Sequence, residues 1–472
     1  MALQSYVVPS RESLPIELDE KLINQVLEQA QDLKSWVLLF ILGTKPCYNK
    51  VFGSVQACAK QGLPLLVFDA NQHYDHNLVH GMDEFGFRPY LAGNLQIRGD
   101  LCQKSVELFE KSVWLARYFK EKWPHVKVIP VVNGDTILCP MVSGAWMMAR
   151  NERSIHNEAG MRGMAPDSFL KMNPEISVHD FMEGQQSGEW HLLRAEPYPE
   201  QWDTFVASAG CDFHFAPVAL NRDHLIREGY PKDQIFVTNA LVVDAMLHLK
   251  KGKIEQSIFE IYPQLGVGKW LRMDIHRKEN LSEHRFRAIF ESLESLIANG
   301  FSVNLVLLNG TKHAIQRWGL TERFEALKKS PHFLPTEVWP AYRNVLEFFE
   351  SDHFWAALTD SGGMQEDMNY LRKPCMTIRF CTDRPESVMN RSGNILIPPI
   401  NGKLMSRLIQ GVLGDEKLID KITPVESIYG PGAGVGFAAG ISPIAFGNRS
   451  PLRFAPDLLG LSDPHQTHEI DF

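Results

Sequence analysis

Four compact groups of polar residues follow apolar runs, and each can bind an anion or move a proton. The first is Gly43-Thr44-Lys45-Pro46 with Lys50, after WVLLFILG. Two cations behind a glycine turn suit an anionic ligand; they equally suit a solvated turn. The second is Asn133-Gly134-Asp135-Thr136, after VKVIPVV. Asp135, at the carboxyl end of a buried strand, is placed either for acid–base work or to cap the next helix. The third runs from His156 to Arg162, HNEAGMR. Its Glu158 is either a site carboxylate or one half of a Glu158–Arg162 salt bridge. The fourth is Asp274 to Asn280, DIHRKEN. There His276 can donate to a phosphate or a sugar hydroxyl, and His276-Arg277-Lys278 forms an anion grip.

The segment Thr359 to Glu386, TDSGGMQEDMNYLRKPCMTIRFCTDRPE, carries the most information. An apolar run, FWAAL, enters Ser361-Gly362-Gly363, and a helical pattern follows. Glycines let a backbone approach a phosphate, and the helix N-terminus supplies partial positive charge. Gln365, Glu366 and Asp367 come one turn later, where carboxylates can hold ribose hydroxyls. Asp383-Arg384-Pro385-Glu386 closes the segment.

These groups need strands and helices to hold them. Residues 16–34 predict an amphipathic helix through Ile16, Leu18, Leu22, Ile23, Val26, Leu27 and Leu33. Strand-like runs at 36–43, 64–70, 126–132, 153–160 and 213–219 then alternate with helical patterns at 49–61, 103–121, 139–150 and 222–228. The rhythm restarts with strands at 269–275, 301–308, 353–359, 374–380 and 394–399. Helices are predicted at 281–298, 315–328, 341–350, 363–371 and 402–413. Such alternation gives an α/β fold of two doubly wound, Rossmann-like parallel sheets. Ligands bind beyond the carboxyl ends of the strands, here in a cleft between facing domains. The domains are read as 1–238, with an insertion at about 164–199, and 239–430, followed by an extension, 431–472. The insertion has no clean period, and the Gly- and Pro-rich tail reads as an irregular surface segment.

The chain has 472 residues, enough for two cores of roughly 200 residues each. Its net charge of -8 and the absence of a basic block argue against nucleic acid. The longest apolar stretch, 36–43, is too short to insert in a membrane. The N-terminal MALQSYVVPSRESLP lacks the pattern of a signal peptide. Seven scattered cysteines without a CxxC pair suit reduced thiols in the cytoplasm and no zinc site.

Taken in order, the motifs resemble the UDP-N-acetylglucosamine 2-epimerase family from about residue 36 to 437. GTKP with Lys50 resembles the family's GTRP and following lysine, NQH (71–73) its GQH, and GDT (134–136) is identical. HNEAGMR resembles HVEAGLR, and Pro199-Glu200 with the later HFAPV resembles the PEE-N-R segment and FAPT. TNALVVDA (238–245) is similar to GNTVIDA and IHRKEN (275–280) to HRREN. TDSGGMQED and DRPE are similar to TDSGGIQEE and ERPE, and YGPG (429–432) to YGDG.

The resemblance implies the two-Rossmann arrangement called GT-B and a UDP-sugar substrate, with no cofactor and no metal. It implies interconversion of UDP-GlcNAc and UDP-ManNAc by elimination of UDP to a 2-acetamidoglucal and re-addition, as in polysaccharide-precursor synthesis. Asp135, Glu158 and Glu200 match the catalytic carboxylates, with Asp135 preferred as base, and His276 the catalytic histidine. Lys45 and Lys50 match the basic pair of the first loop. Ser361, Gly362 and Gly363 match the phosphate turn, Asp367 the ribose acid and Arg384 the arginine of ERPE. Members are often dimers, although no interface pattern in this sequence shows a homodimer.

Three departures stand out. After Glu200 the chain reads QWDT, so Asp203 and Thr204 replace the motif's asparagine and arginine. The 164–199 insertion, with Trp190 and His191, separates Glu158 from Glu200. LLNGTKH (307–313) replaces the family's P-x-H-x-N-P. They leave three alternatives: a hydrolysing epimerase releasing ManNAc and UDP, a glycosyltransferase of the same fold, or a nucleotide-sugar binder without turnover.

Overall fold

A computed structural model describes residues 14–43, 45–70 and 85–447. Thr44 and the Asn71-Gln72-His73 motif lie outside the described residues, as does the Lys45 side chain. The chain forms two compact units.

The first unit is built on an eight-stranded sheet. Its order is Glu17–Leu18, Leu91–Asn94, Leu65–Asp69, Val37–Leu42, Val128–Asn133, Ser154–Asn157, Cys211–Ala216 and Ile235–Val237. Only the first pairing is antiparallel. Val37–Leu42 is buried along its whole length, as a strand covered by helices on both faces must be. Chain order reverses between Val37–Leu42 and Val128–Asn133, the topological switch point of a doubly wound sheet. The expected strands are present. Ile16 and Leu18, assigned to the first helix from their spacing, precede it: Asp19 caps Glu20–Leu33, accepting from the Leu22 backbone N–H, and Leu18 pairs with Gly93.

The second unit repeats the plan with six parallel strands. Their order is Phe333–Thr336, Ser302–Val306, Trp270–Asp274, Phe354–Thr359, Cys375–Thr377 and Asn394–Leu396. The switch point lies between Trp270–Asp274 and Phe354–Thr359. The helices Glu283–Ala298 and Gly402–Leu413 bury Phe286, Leu293, Leu404 and Leu408 in its core.

Two segments differ from the sequence reading. Arg162–Pro197, read as an insertion of the first domain, belongs to the second unit. It has regular structure: a Met164–Pro166 and Trp190–Leu192 hairpin and the helix Val178–Gln186. Met164 exchanges backbone hydrogen bonds with Thr382 at 2.8 and 2.9 Å. The Gln185 amide donates to the Leu396 carbonyl and accepts from its N–H, so it continues the edge strand Asn394–Leu396. Phe181 and Met182 join the second core. A nine-residue helix tied to distant partners leaves too short an apolar pattern to read.

The tail is the other correction. Ala433–Phe446 is a helix of the first unit, not an irregular segment. Asp244 accepts from the N–H groups of Gly432 and Gly434 at 2.6 and 2.8 Å, anchoring the helix start. Phe437 packs on Phe40 and Phe215. Glycine is needed at 434 because a Cβ there would lie 2.2 Å from the Gly53 carbonyl carbon. Gly434, one of the glycines that mimic a loop in sequence, is a packing contact with the helix Lys45–Lys60. Gly434→Ala is therefore expected to destabilise the protein by about 1–3 kcal/mol, as overpacking does. Chemical denaturation checks this, and an unchanged midpoint would refute the close-packing account.

Candidate functional site

Each unit gathers predicted residues at its own switch point. In the first unit, Gly134 and Asp135 follow Val128–Asn133 and Glu158 follows Ser154–Asn157. The Gly134 N–H donates to the Asn157 carbonyl at 2.9 Å, joining the two strand ends. The His156 ring meets the Gly134 carbonyl at 2.8 Å and the Ser208 hydroxyl at 3.2 Å. It supports the turn from below.

Glu158 is buried with φ at 59°, a left-handed conformation that costs about 1–2 kcal/mol for a side-chain-bearing residue. The helix Lys45–Lys60 brings Lys50 to it, with Nζ at 2.6 and 2.8 Å from the two carboxylate oxygens. Asn133 Nδ2 adds a contact at 3.4 Å. Glu158 thus pairs with Lys50.

Asp135 lies half-buried in the turn before Leu138–Arg150. That helix begins after Ile137 and has no side-chain cap, so Asp135 is not its N-cap. Glu200 opens the helix Glu200–Ala209, and Asp203 follows one turn later. Asp203 is 1% exposed. Burial, with the negative charges of Asp135 and Glu200, pushes its carboxyl up to about 8. Asp135, Glu200 and Asp203 therefore form one electrostatic group. The sequence reading took Asp203 only as the loss of a motif residue. Its signal was the i, i+3 spacing from Glu200 on one helix face.

In the second unit His276 follows Trp270–Asp274, and Asp360 follows Phe354–Thr359. Buried Asp360 accepts from the backbone N–H of His276 at 3.1 Å, that of Arg277 at 3.0 Å and Asn280 Nδ2 at 3.1 Å. His276 Nδ1 stands 3.0 Å from Asp360. Burial pulls the His276 pKa down, but the hydrogen bond and charge of Asp360, with Asp274, outweigh it and raise it. Asp360 itself is pushed up by burial and pulled further down by His276 and the two backbone donors. The result is a histidine oriented by a carboxylate, its other nitrogen directed away from that partner. Asp360 was absent from the expected site residues, although it stands inside the TDSGG motif.

Ser361 caps the helix Gly362–Leu371, accepting from Met364. A Cβ on Gly362 would lie 2.7 Å from Arg384 Nη1, so glycine lets that guanidinium reach the helix start. Arg384 is buried, paired with Asp383 and, at 3.3 Å, with Glu366. Asp367 accepts from the Tyr342 hydroxyl at 2.6 Å. Among the described residues, no group of three or more His, Cys, Asp or Glu side chains is arranged to hold a metal ion. No described helix is long and apolar enough to cross a membrane.

A family model described as UDP-N-acetylglucosamine 2-epimerase matches residues 191–436, just over half of the chain. This chain belongs to the UDP-N-acetylglucosamine 2-epimerase family. The match spans Glu200, His276, Ser361 and Arg384; Lys50, Asp135 and Glu158 precede it. A UDP-N-acetylglucosamine 2-epimerase of Methanocaldococcus jannaschii is 27% identical over 386 residues, 78% of this chain and 90% of that protein. One from Bacillus subtilis is 27% identical over 263 residues, 55% of this chain and 63% of that protein, under two thirds of its length. The solved M. jannaschii enzyme, in complex with UDP-GlcNAc and UDP, superposes with a TM-score of 0.65 at 23% identity. It covers 86% of this chain and 99% of its own. That likeness carries the fold of this epimerase family, which the sequence had led us to expect.

Proposed function

We propose that this chain inverts carbon 2 of a UDP-linked 2-acetamido sugar, with UDP-GlcNAc and UDP-ManNAc as the pair. The observation that carries the reading is that each Rossmann-like unit presents one half of the required chemistry at its switch point. The second unit supplies an anion grip: the Ser361-Gly362-Gly363 helix start, Arg277, and His276, whose protonated form Asp360 favours. Asp367, beside Tyr342, is assigned to the ribose. The first unit supplies Asp135, Glu158 and Glu200, with Lys45 and Lys50 as the basic pair.

In this mechanism the C1–O bond breaks and its electron pair leaves on UDP. Carbon 2 gives its proton to a carboxylate, and a C1–C2 double bond forms. The reverse step delivers a proton to the opposite face, while a UDP oxygen re-forms the bond to C1. Charged donors stabilise the departing diphosphate, which gains a further negative charge as the bond breaks. A carboxylate on each face serves as base and acid. Retention of three such carboxylates supports turnover over simple binding. We also assign the protein to the cytoplasm, which its scattered free cysteines suit, and, from the family resemblance alone, to a homodimer.

Incubation with UDP-GlcNAc in heavy water, followed by NMR, tests this. Deuterium at carbon 2 and intact UDP-ManNAc are expected. Free ManNAc with UDP would replace the reading by hydrolysis. Tight UDP binding with no exchange would sink it.

A further inference from the structure

The helix Lys45–Lys60 leaves the carboxyl end of Val37–Leu42, at the first unit's switch point, with strands of the sheet on both sides of it. Residues two apart on a helix point to opposite sides, about 200° apart, and residues four apart share a side. Lys50 and Ser54 lie on one side. Lys50 meets Glu158 at 2.6 and 2.8 Å, and the Ser54 hydroxyl accepts from Asn157 Nδ2 at 3.2 Å. Both partners belong to Ser154–Asn157 and the turn after it. Tyr48 and Phe52 lie on the other side. The buried Tyr48 ring is centred 6.0 Å from that of Phe87, and the Phe52 ring 5.1 Å from that of Phe85. The Tyr48 hydroxyl donates to Asp69 Oδ1 at 2.9 Å. Asp69 ends the strand Leu65–Asp69, in register with Leu42 and Asn94, and its second oxygen accepts from Asn94 Nδ2 at 3.4 Å.

We infer that Tyr48 is a positioning residue for proton transfer: fixed on Asp69, it sets the rotation of the helix Lys45–Lys60 and thereby holds Lys50 on both oxygens of Glu158. This rests on the assignment of Glu158 to the reaction. A lysine carries a compact charge on a flexible stem. It keeps two short contacts only where its backbone is held still. The ring contacts with Phe85 and Phe87 are non-directional and allow the helix to roll. The close approach of Gly434 at Gly53 sets the spacing to the helix Ala433–Phe446, but glycines have no side chain to index a rotation. A hydrogen bond has a preferred length and angle, and the one from Tyr48 to Asp69 supplies the fixed point opposite Lys50. Burial, with Asp69 beside it, pushes the Tyr48 hydroxyl above its ordinary pKa, so it keeps its proton and donates. The helix is thus pinned on both sides of the switch point, and Tyr48 acts through Lys50.

Tyr48→Phe keeps the ring and removes the hydroxyl, so it tests the bond without opening the core. In a crystal structure of the ligand-free variant, Lys50 Nζ is expected more than about 3.5 Å from at least one Glu158 oxygen, outside hydrogen-bond range. In turnover of UDP-GlcNAc, kcat per folded molecule should fall about tenfold while KM stays within about twofold, as when a reacting group is misplaced by a fraction of an ångström. Asp69→Ala, which removes the acceptor, should lose as much, and the double variant no more than either alone, because both act through one bond. A Lys50–Glu158 pair unmoved in Tyr48→Phe would overturn the inference. So would a kcat within about twofold of wild type, the result for a residue that only packs. If the protein never turns over UDP-GlcNAc, the functional reading fails, and the crystal structure still decides whether Tyr48 holds Lys50 in place.

Discussion

Asp135→Asn is expected to stop exchange at carbon 2, lowering turnover by about 10³-fold, within the range that positioned acid–base groups supply. UDP affinity should stay within about twofold. The substitution keeps the shape of the side chain and removes only its basicity. Asp135 sits in a half-exposed turn without a capping role, so the fold gives no reason for a stability loss. UDP binding is assigned to groups of the other unit, so affinity and turnover should separate. Isothermal titration with UDP and an exchange assay in heavy water measure the two. An equal fall in both would show that Asp135 holds structure instead of moving a proton. A second consequence follows from its charge. With one negative neighbour gone, the carboxyl of Asp203 should titrate lower than about 8.

Asp360→Ala should cost more stability than any of the other substitutions considered: about 3–5 kcal/mol, the range for breaking a buried charged network. It removes the acceptor for two backbone N–H groups and for the buried Asn280 amide. Urea denaturation measures the loss. A change under about 1 kcal/mol would mean that water replaces these bonds at no expense. The variant should also release His276, whose pKa should fall below its ordinary value near 6.5, because burial outweighs what Asp274 alone supplies. The pH dependence has a definite sign. The pKa of Asp360 is lowered by folding, so its contribution is present above about pH 4 and lost as pH falls through the folded value. The pKa of His276 is raised, so its contribution is full below about pH 6.5 and lost as pH rises through the folded value. The stability gap between wild type and variant should be widest between these limits. It should narrow at alkaline pH, where the His276 ion pair is gone and only the backbone and Asn280 hydrogen bonds to Asp360 remain.

Much of the fold was legible because its signals are local. A buried parallel strand reads as an unbroken apolar run, and VLLFIL and FWAALT are such runs. The Ser361 turn was legible for the same reason: strand end, N-cap and glycines are contiguous in sequence. Gly362 shows where that reading ran short. Its glycine is required by Arg384, a residue far along the chain, as much as by any ligand. The short strands Leu91–Asn94 and Phe333–Thr336 were missed, since four residues carry too little pattern.

The sequence by itself determined the alternation of strands and helices in two halves, the polar residues at the strand ends and the order of the family motifs. These depend on neighbours in the chain. Only the tertiary structure decided which residues act together. Asp360 meets His276 across 84 positions, Glu158 meets Lys50 across 108, and Asp203 joins Asp135 through space alone. The unit to which 162–197 belongs, and the helical state of 433–446, were settled in the same way, by hydrogen bonds to Thr382, Leu396 and Asp244. A carboxylate's charge state depends on burial and on the charges facing it, and no spacing along a chain records either one.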